Sequence, residues 1–332
     1  MEWIRGRVLR SQSGFYDVET DAGLLTARLR GRLKQGRKEG DIVALGDWVQ
    51  VSQEGDQAMI EEVEQRERAL VRIAPRPSGT YEQVIVANPD QALFVFACAE
   101  PKPKLRMLDR FLVAAEQQHI PAAIVANKFD LVGKKAARDL FGHYADIGYP
   151  IYYTSATKKK GLRPLRKAMR DKLSVLAGPS GAGKSSLLNA LQPELELRTS
   201  EISQATEKGR HTTVEKRLFP LSFGGYVADT PGLKAFALQD IEPEEVDGYF
   251  PEIAALVADC EFRSCSHHEE PGCAVRRAVE EAKVHPARYD SYLRLREGAQ
   301  IEWRMGVAQR ISKLQTMSTI FGARQERITI DS

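Results

Sequence analysis

Hydrophobic and polar positions change rhythm three times along the chain. From Trp3 to about Val71, short runs rich in Val, Ile, Leu and aromatics (RGRVLR, GFYDVET, LLTARLR, DIVALGDWVQVS, AMIEEVE) alternate with Gly, Asp and Ser turns. That spacing predicts a small all-β domain, and a five-stranded barrel would fit. The segment IAPRPSG, Ile73 to Gly79, packs two prolines and a glycine beside arginine and predicts a linker. Beyond it the period lengthens. QALFVFACA, PAAIVA and IYYTSA predict buried strands, while PKLRMLDRFLVAAEQQH places Leu105, Leu108, Phe111, Leu112 and Ala115 on one helical face. Strands alternating with helices imply a parallel sheet covered on both faces, with binding loops at the strands' C-terminal ends. From about Pro243 the pattern is mostly helical. The expected architecture is multidomain α/β, divided at 1–72, 80–240 and 241–332.

Composition narrows the class. A chain of 332 residues is too long for one ordinary core, and 42% hydrophobic with 28% charged residues describes a soluble globular protein. The apolar run Ala92–Ala99 is far short of the roughly 20 residues that span a bilayer, and the start MEWIRGRVLR carries no apolar stretch of signal-peptide length. A cytoplasmic protein without a membrane partner is expected. A net charge of +3 says little about partners. Of the four cysteines, three crowd between Cys260 and Cys273, which is no disulfide scaffold.

The stretch SVLAGPSGAGKSSLLNAL, Ser174 to Leu191, contains GPSGAGKS, an instance of GxxxxGKS set between a strand-like and a helix-like run. Gly178, Gly181 and Gly183 let the backbone wrap a phosphate chain with its N–H groups pointing inward, and the helix start adds positive potential. Pro179, Ser180 and Ala182 complete the loop; Lys184 would neutralise the β and γ phosphates, and Ser185, followed by Ser186, offers a hydroxyl to Mg²⁺. An Asp at the end of a neighbouring strand normally completes the metal's protein contacts, and GGYVADTPG supplies Asp229. The competing reading, an accidental glycine-rich turn, does not account for the flanking strand and helix. The loop begins with more than half the chain already used.

Base identity is read elsewhere. In AIVANKFDLV, Asn127, Lys128, Phe129 and Asp130 follow an apolar run and stand at a strand's C-terminal end. A carboxylate at Asp130 accepts both N–H groups on the guanine edge, whereas adenine would leave that charge unpaired. Thr154, Ser155 and Ala156, after another strand, could close over the base. Alone, NKFD could be a capped loop. The cluster Cys260, Cys265, His267, Cys273 has the spacing C-x4-C-x-H-x5-C, with His268 as rival ligand. Three thiolates and an imidazole make a closed structural zinc site, against the alternative of reduced, unliganded thiols. Cys98, inside FVFACA, reads as a small buried apolar residue.

The NKxD, SA, GxxxxGKS and DxPG elements are those of translation-factor-type GTPases, but NKFD and SA precede the phosphate loop and DTPG follows it. That order resembles the circularly permuted GTPases. With the β-rich N-terminal region, the GRHTT segment (Gly209–Thr213) and the C-terminal cluster, the chain resembles the RsgA (YjeQ/YloQ) family of ribosome small-subunit-dependent GTPases. The resemblance implies an OB-fold barrel, a permuted GTPase domain and a helical zinc domain with one structural Zn²⁺ on His267. It implies Mg²⁺ bound with GTP near Ser185, Asp229 and either Thr212 or Thr213. Where many GTPases carry a water-orienting Gln after DxxG, this chain has Leu233, which cannot hydrogen-bond water. His211 resembles the family's proposed catalytic histidine; a solvated or RNA-contacting loop histidine is the alternative.

The partners implied are GTP/GDP and the small (30S) ribosomal subunit with its rRNA, engaged by a monomer in late subunit maturation. TARLRGRLKQGRKEG brings Arg28, Arg30, Arg32, Lys34, Arg37 and Lys38 without a carboxylate until its end, and alternation would put the first three on one strand face. Arg304, Arg310, Lys313, Arg324 and Arg327 add charge near the C-terminus. Such runs suit rRNA or a plain solvated surface. Two other classes remain at this stage: an RNA-binding scaffold using GTP as a structural or regulatory ligand, and a P-loop kinase or ATPase, against which Asp130 argues.

Overall fold

The computed structural model describes residues 3–34, 41–55, 57–76, 79–197, 216–229 and 241–299. Internal contacts divide the chain into two units, Met1–Gln239 and Asp240–Ser332.

The first unit opens with β1 (Ile4–Gln12), β2 (Phe15–Thr20), β3 (Gly23–Leu29), β4 (Trp48–Glu54) and β5 (Gln57–Val63). Their order is β1-β2-β3-β5-β4, and β4 pairs back onto β1, closing a five-stranded barrel. Closure satisfies every edge, and the alternation seen in sequence becomes an inward face of Val8, Val18, Ala27, Val49, Val51 and Ile60. β4 begins only at Trp48. The preceding residues 41–47 form a turn in which buried Asp47 accepts from the Ala44 amide at 2.7 Å and pairs with Arg66 at 2.7 Å.

Two sequence expectations fail here. IAPRPSG is not a linker: β6 (Ala69–Arg76) and β7 (Gly79–Ala87) pair antiparallel as a separate two-stranded sheet, with Pro75 opposite Thr80. A two-stranded ribbon has only edge strands, so a proline's missing N–H costs no ladder on its outer side. Nor do Arg28, Arg30 and Arg32 share a strand face. β3 stops at Leu29 and Gly31–Lys34 turns into a 3-10 helix. Arg30 and Arg32 then converge on Glu61, 2.8 Å from the Arg30 Nε and 3.2 Å from the Arg32 Nη2. Hydrogen bonds from Arg30 and then from Ser52 hold the Glu61 carboxyl below its usual range. The acid that balances this run comes from β5, about 30 residues away in sequence. Arg28 remains exposed and lies over the Phe15 ring at 4.4 Å. Arg37 and Lys38 lie outside the described residues, as do Arg304, Arg310, Lys313, Arg324 and Arg327.

β8 (Gln91–Ala97), β9 (Ala122–Asn127), β10 (Ile151–Thr154), β11 (Leu173–Ala177) and β13 (Tyr226–Asp229) form a parallel sheet in the order β10-β9-β8-β11-β13. The antiparallel β12 (Lys216–Pro220) borders β13. β8 is buried at every residue because helices cover both faces, which is why it reads as an unbroken apolar run. One face packs α1 (Leu105–Gln117) and α2 (Lys134–Asp146) through Leu108, Phe111, Leu112 and Phe141. The other packs α3 (Leu162–Met169) and α4 (Lys184–Leu191) through Leu165, Met169, Leu187 and Leu188. β12 also pairs with the end of β1, matching Arg10 with Arg217 and Ser11 with Lys216, so barrel and parallel sheet share one hydrogen-bonded ladder. The Tyr226 hydroxyl on β13 bonds Glu19 on β2, and burial, reinforced by Glu19, pushes that phenol up to about 12.

The second unit strings short helices: a 3-10 segment Pro243–Tyr249, α5 (Pro251–Ala254), a 3-10 turn Val257–Asp259, α6 (Ala274–Glu280) and a helix over 286–299. Its core sets Phe250 against Tyr292 edge-on at 5.6 Å. Fully buried Arg288 lies over Phe250 and forks onto Glu252 at 2.7 and 3.2 Å. Among the described residues no helix is long and apolar enough to cross a membrane.

Phe111 of α1 meets Phe94 at 5.4 Å beneath the sheet. Phe111→Ala is expected to lower the stability of the first unit by about 3–5 kcal/mol, measured as a shift in urea midpoint at constant slope; no shift would show that this face is not close-packed.

Candidate functional site

The phosphate loop spans Gly178–Gly183, between β11 at the sheet centre and α4. Two of its glycines are required by close approach. A Cβ on Gly178 would stand 2.0 Å from the Val95 carbonyl oxygen, and one on Gly183, whose φ is +89°, 2.6 Å from the Asn127 Nδ2. Lys184 Nζ donates to the Gly178 and Pro179 carbonyls at 2.8 and 3.0 Å, laying its ammonium across the loop mouth. Ser185 lies in the first turn of α4 and is 9% exposed. Ser180 and Ser186 flank these positions in the loop and the first helical turn.

Asn127 ends β9 and is wholly buried. Its Nδ2 donates to the Ala182 carbonyl at 2.9 Å, and its Oδ1 accepts from the Thr154 hydroxyl at 3.1 Å. One amide therefore ties the phosphate loop, the NKFD loop and the end of β10, bringing together three segments far apart in sequence. Lys128 adopts a left-handed φ of +58° and its Nζ donates to the Glu100 carbonyl. Phe129 and Asp130 follow in a 3-10 turn, Phe129–Leu131. Asp130 Oδ1 is buried without a hydrogen-bond partner. An unpaired carboxylate oxygen is unfavourable by about 1–3 kcal/mol or more, so this atom fits a ligand that brings N–H donors. Ser155 and Ala156, directly after β10, are buried, and the Ser155 Oγ accepts from the Lys158 amide at 3.1 Å.

Asp229 ends β13 opposite Leu176 of β11, which sets its backbone one strand from the phosphate loop. His211, Thr212, Thr213 and Leu233 lie outside the described residues. Sequence reasoning missed Glu100 and Pro101, which follow β8: Pro101 is the nearest neighbour of a Cβ placed on Gly181, at 3.3 Å. One contact is a backbone carbonyl and the other a proline ring, neither belongs to a motif, and only their place after a central strand hints at them.

In the second unit the ligand atoms of Cys260, Cys265, His267 and Cys273 all lie within 4.8 Å of one another. His267 Nδ1 is 3.5 Å from both the Cys260 and the Cys273 sulfur, close to the separation of about 3.6 Å that zinc bonds of about 2.3 and 2.1 Å impose at a tetrahedral angle. His267 is buried and His268 exposed, so geometry separates the two rivals. Asp247 stands 3.6 Å from the other ring nitrogen, and the Tyr289 hydroxyl donates to the His267 carbonyl at 2.6 Å. Burial pushes the Cys265 thiol up to about 12, so a cation at the centre is what would make a thiolate there stable near neutrality.

A parallel sheet that carries base loop, phosphate loop and strand-end Asp in permuted chain order, with a closed barrel before it and a Cys3His unit after it, defines a circularly permuted P-loop GTPase. The RsgA GTPase family matches residues 63–239 and the RsgA N-terminal domain matches 5–60. The chain belongs to the RsgA GTPase family. It is 46% identical over 297 residues to the small ribosomal subunit biogenesis GTPase RsgA of Gemmatimonas aurantiaca, covering 88% of this chain and 96% of that one. The RsgA of Caldanaerobacter subterraneus subsp. tengcongensis is 40% identical over 295 residues, covering 89% and 95%. Among solved structures, YjeQ from Thermotoga maritima superposes with a TM-score of 0.74 at 33% identity, covering 90% of this chain and 99% of that one. YloQ, a circularly permuted GTPase, reaches 0.71 at 32% identity, covering 91% and 96%.

Asn127→Ala strands the buried Thr154 hydroxyl and Ala182 carbonyl. Calorimetric titration with GDP is expected to weaken by about 10-fold or more, with about 1–3 kcal/mol of stability lost; unaltered affinity would sever the base loop from the phosphate loop. Stripping bound metal with a strong chelator is expected to abolish the protease resistance of 241–299 while leaving GDP affinity intact. Persistent resistance would mean the unit folds without a cation.

Proposed function

We propose that the protein hydrolyses GTP as an assembly factor in late maturation of the small (30S) ribosomal subunit, is stimulated by that subunit, and acts as a cytoplasmic monomer. The observation that carries the reading is the Asn127 junction, which ties the phosphate loop to the loop that also carries Asp130's partnerless oxygen. It is supported by relatives that bear the name of small-subunit biogenesis GTPases.

In this reading Asp130 accepts from the guanine edge, Lys128 and Phe129 flank the base, and Ser155 and Ala156 close over it. The loop from Gly178 to Ser186 cradles the phosphates by its amides, and Lys184 trades the Gly178 and Pro179 carbonyls for β and γ oxygens. Mg²⁺, held by Ser185, Asp229 and Thr212 or Thr213, supplies charge neutralisation at the phosphates when bound. His211 orients water, a task the apolar Leu233 cannot perform. One zinc ion on Cys260, Cys265, His267 and Cys273 has a structural role. The barrel's exposed Trp3 and Phe15, overlaid by Arg32 and Arg28, suit unstacked rRNA bases.

The decisive experiment measures GTP turnover with small subunits, with large subunits and with neither, GTP competed against ATP, in wild type, Lys184→Ala and His211→Ala. Stimulation by small subunits alone is expected, lost in Lys184→Ala and reduced about 100-fold in His211→Ala. Equal turnover under all three conditions would overturn the assembly role.

A further inference from the structure

Between Asp146 and Asp171 the chain carries no carboxylate, yet it carries the three lysines 158–160 and Arg163, Arg166, Lys167 and Arg170. Here tertiary folding does not neutralise the run, in contrast to the barrel. Leu165 and Met169 turn the apolar side of α3 into the core, and Arg163, Arg166, Lys167 and Arg170 are all exposed. Their spacing of three and four residues stacks them along one helical face, where like charges repel. Arg166 is partly engaged, donating to the Leu191 carbonyl above the Phe223 ring. The lysines occupy the turn just before α3, also exposed. Among the described residues none of the seven is paired with a carboxylate.

Soluble surfaces ordinarily mix the two signs, so a single-sign helical face that no acid among the described residues offsets points to a polyanion. Its chemistry discriminates among polyanions. A lipid surface would require apolar anchors beside the cations, but among the described residues the large exposed apolar side chains Trp3, Phe15, Leu24, Leu131, Val132 and Phe262 all belong to other segments. Single-stranded RNA would require open stacking rings, whereas the ring beside these cations, Phe223, is half-buried and covered by Arg166. Point charges at fixed intervals over a helix about 12 Å long match phosphates held at fixed intervals, as in an RNA duplex recognised by its backbone.

We propose that the outer face of α3 and the Lys158–Lys160 turn form a docking surface for the phosphate backbone of duplex RNA, separate from the barrel. The inference deepens the proposed function, since a ribosomal particle is what would present such a duplex. The turn is also part of the base loop: Ser155 and Lys160 exchange both backbone hydrogen bonds, at 3.0 and 3.1 Å. RNA bound there restrains the peptide that closes over guanine, so RNA and nucleotide affinities are linked.

The test uses the full chain and the triple variant R163Q/K167Q/R170Q, with a short RNA duplex, purified small subunits and phosphatidylglycerol vesicles as probes. Loss of three phosphate contacts is expected to reduce the slope of log affinity against log salt by about 2 to 3, and duplex affinity at 0.1 M salt by on the order of 100-fold. GDP affinity and turnover without subunits stay unchanged, and R163K/K167R/R170K retains binding. The pair K159Q/K167Q repeats the measurement with one change in the turn and one on the helix. Unchanged slope and affinity in both Gln variants would overturn the proposal, as would loss of vesicle binding with duplex binding intact. A wild type that binds duplex through these residues but gains no turnover from small subunits would refute the assembly role and leave the RNA surface standing.

Discussion

A single buried amide holds together the three segments of the candidate site. Asn127 donates to the Ala182 carbonyl and accepts a hydrogen bond from the Thr154 hydroxyl, so one buried side chain joins the phosphate loop to the ends of both β9 and β10. In a buried setting these bonds are hard to give up, because each abandoned partner would be left without water. Chain order is irrelevant to such a junction. What matters is that β9, β10 and β11 deliver their C-terminal ends to the same edge of one parallel sheet. Permutation moves the chain termini and leaves that edge intact.

Permutation does change what is covalently and sterically attached to the site. β12 and β13 are both tied to the barrel, β12 through its ladder with β1 and β13 through Tyr226 and Glu19. Arg7, half-buried between the Trp48 and Tyr226 rings at 4.8 and 5.6 Å, adds a further tie. Burial lowers its affinity for its proton, partly offset by the charge of Asp90. A barrel joined this way shares a rigid frame with the sheet, so strain at the end of β13 reaches it through hydrogen bonds rather than through a hinge.

Two basic stretches of similar composition meet opposite fates. Arg30 and Arg32 are drawn onto Glu61, while the cations of α3 keep to solvent. Nothing in local composition distinguishes them. The difference is that a neighbouring strand of the barrel carries an acid inward at that point, and the helices beside α3 do not.

Much was readable without coordinates. GPSGAGKS, NKFD and the C-x4-C-x-H-x5-C spacing are dense local patterns whose chemistry follows from residue type, and the unbroken run 92–99 announced a strand covered on both faces. Hydrophobic period likewise determined the barrel, the parallel sheet and the helical C-terminal region, because burial of a face is a local property of sequence. Other features belonged to tertiary structure alone: the ribbon of β6 and β7, the neutralisation of Arg30, and the clamp of Glu100 on Lys128. Each depends on a partner brought close by folding from elsewhere in the chain. Electrostatic pairing and backbone contact act over a few ångströms of space whatever the separation in sequence, and no local pattern records them.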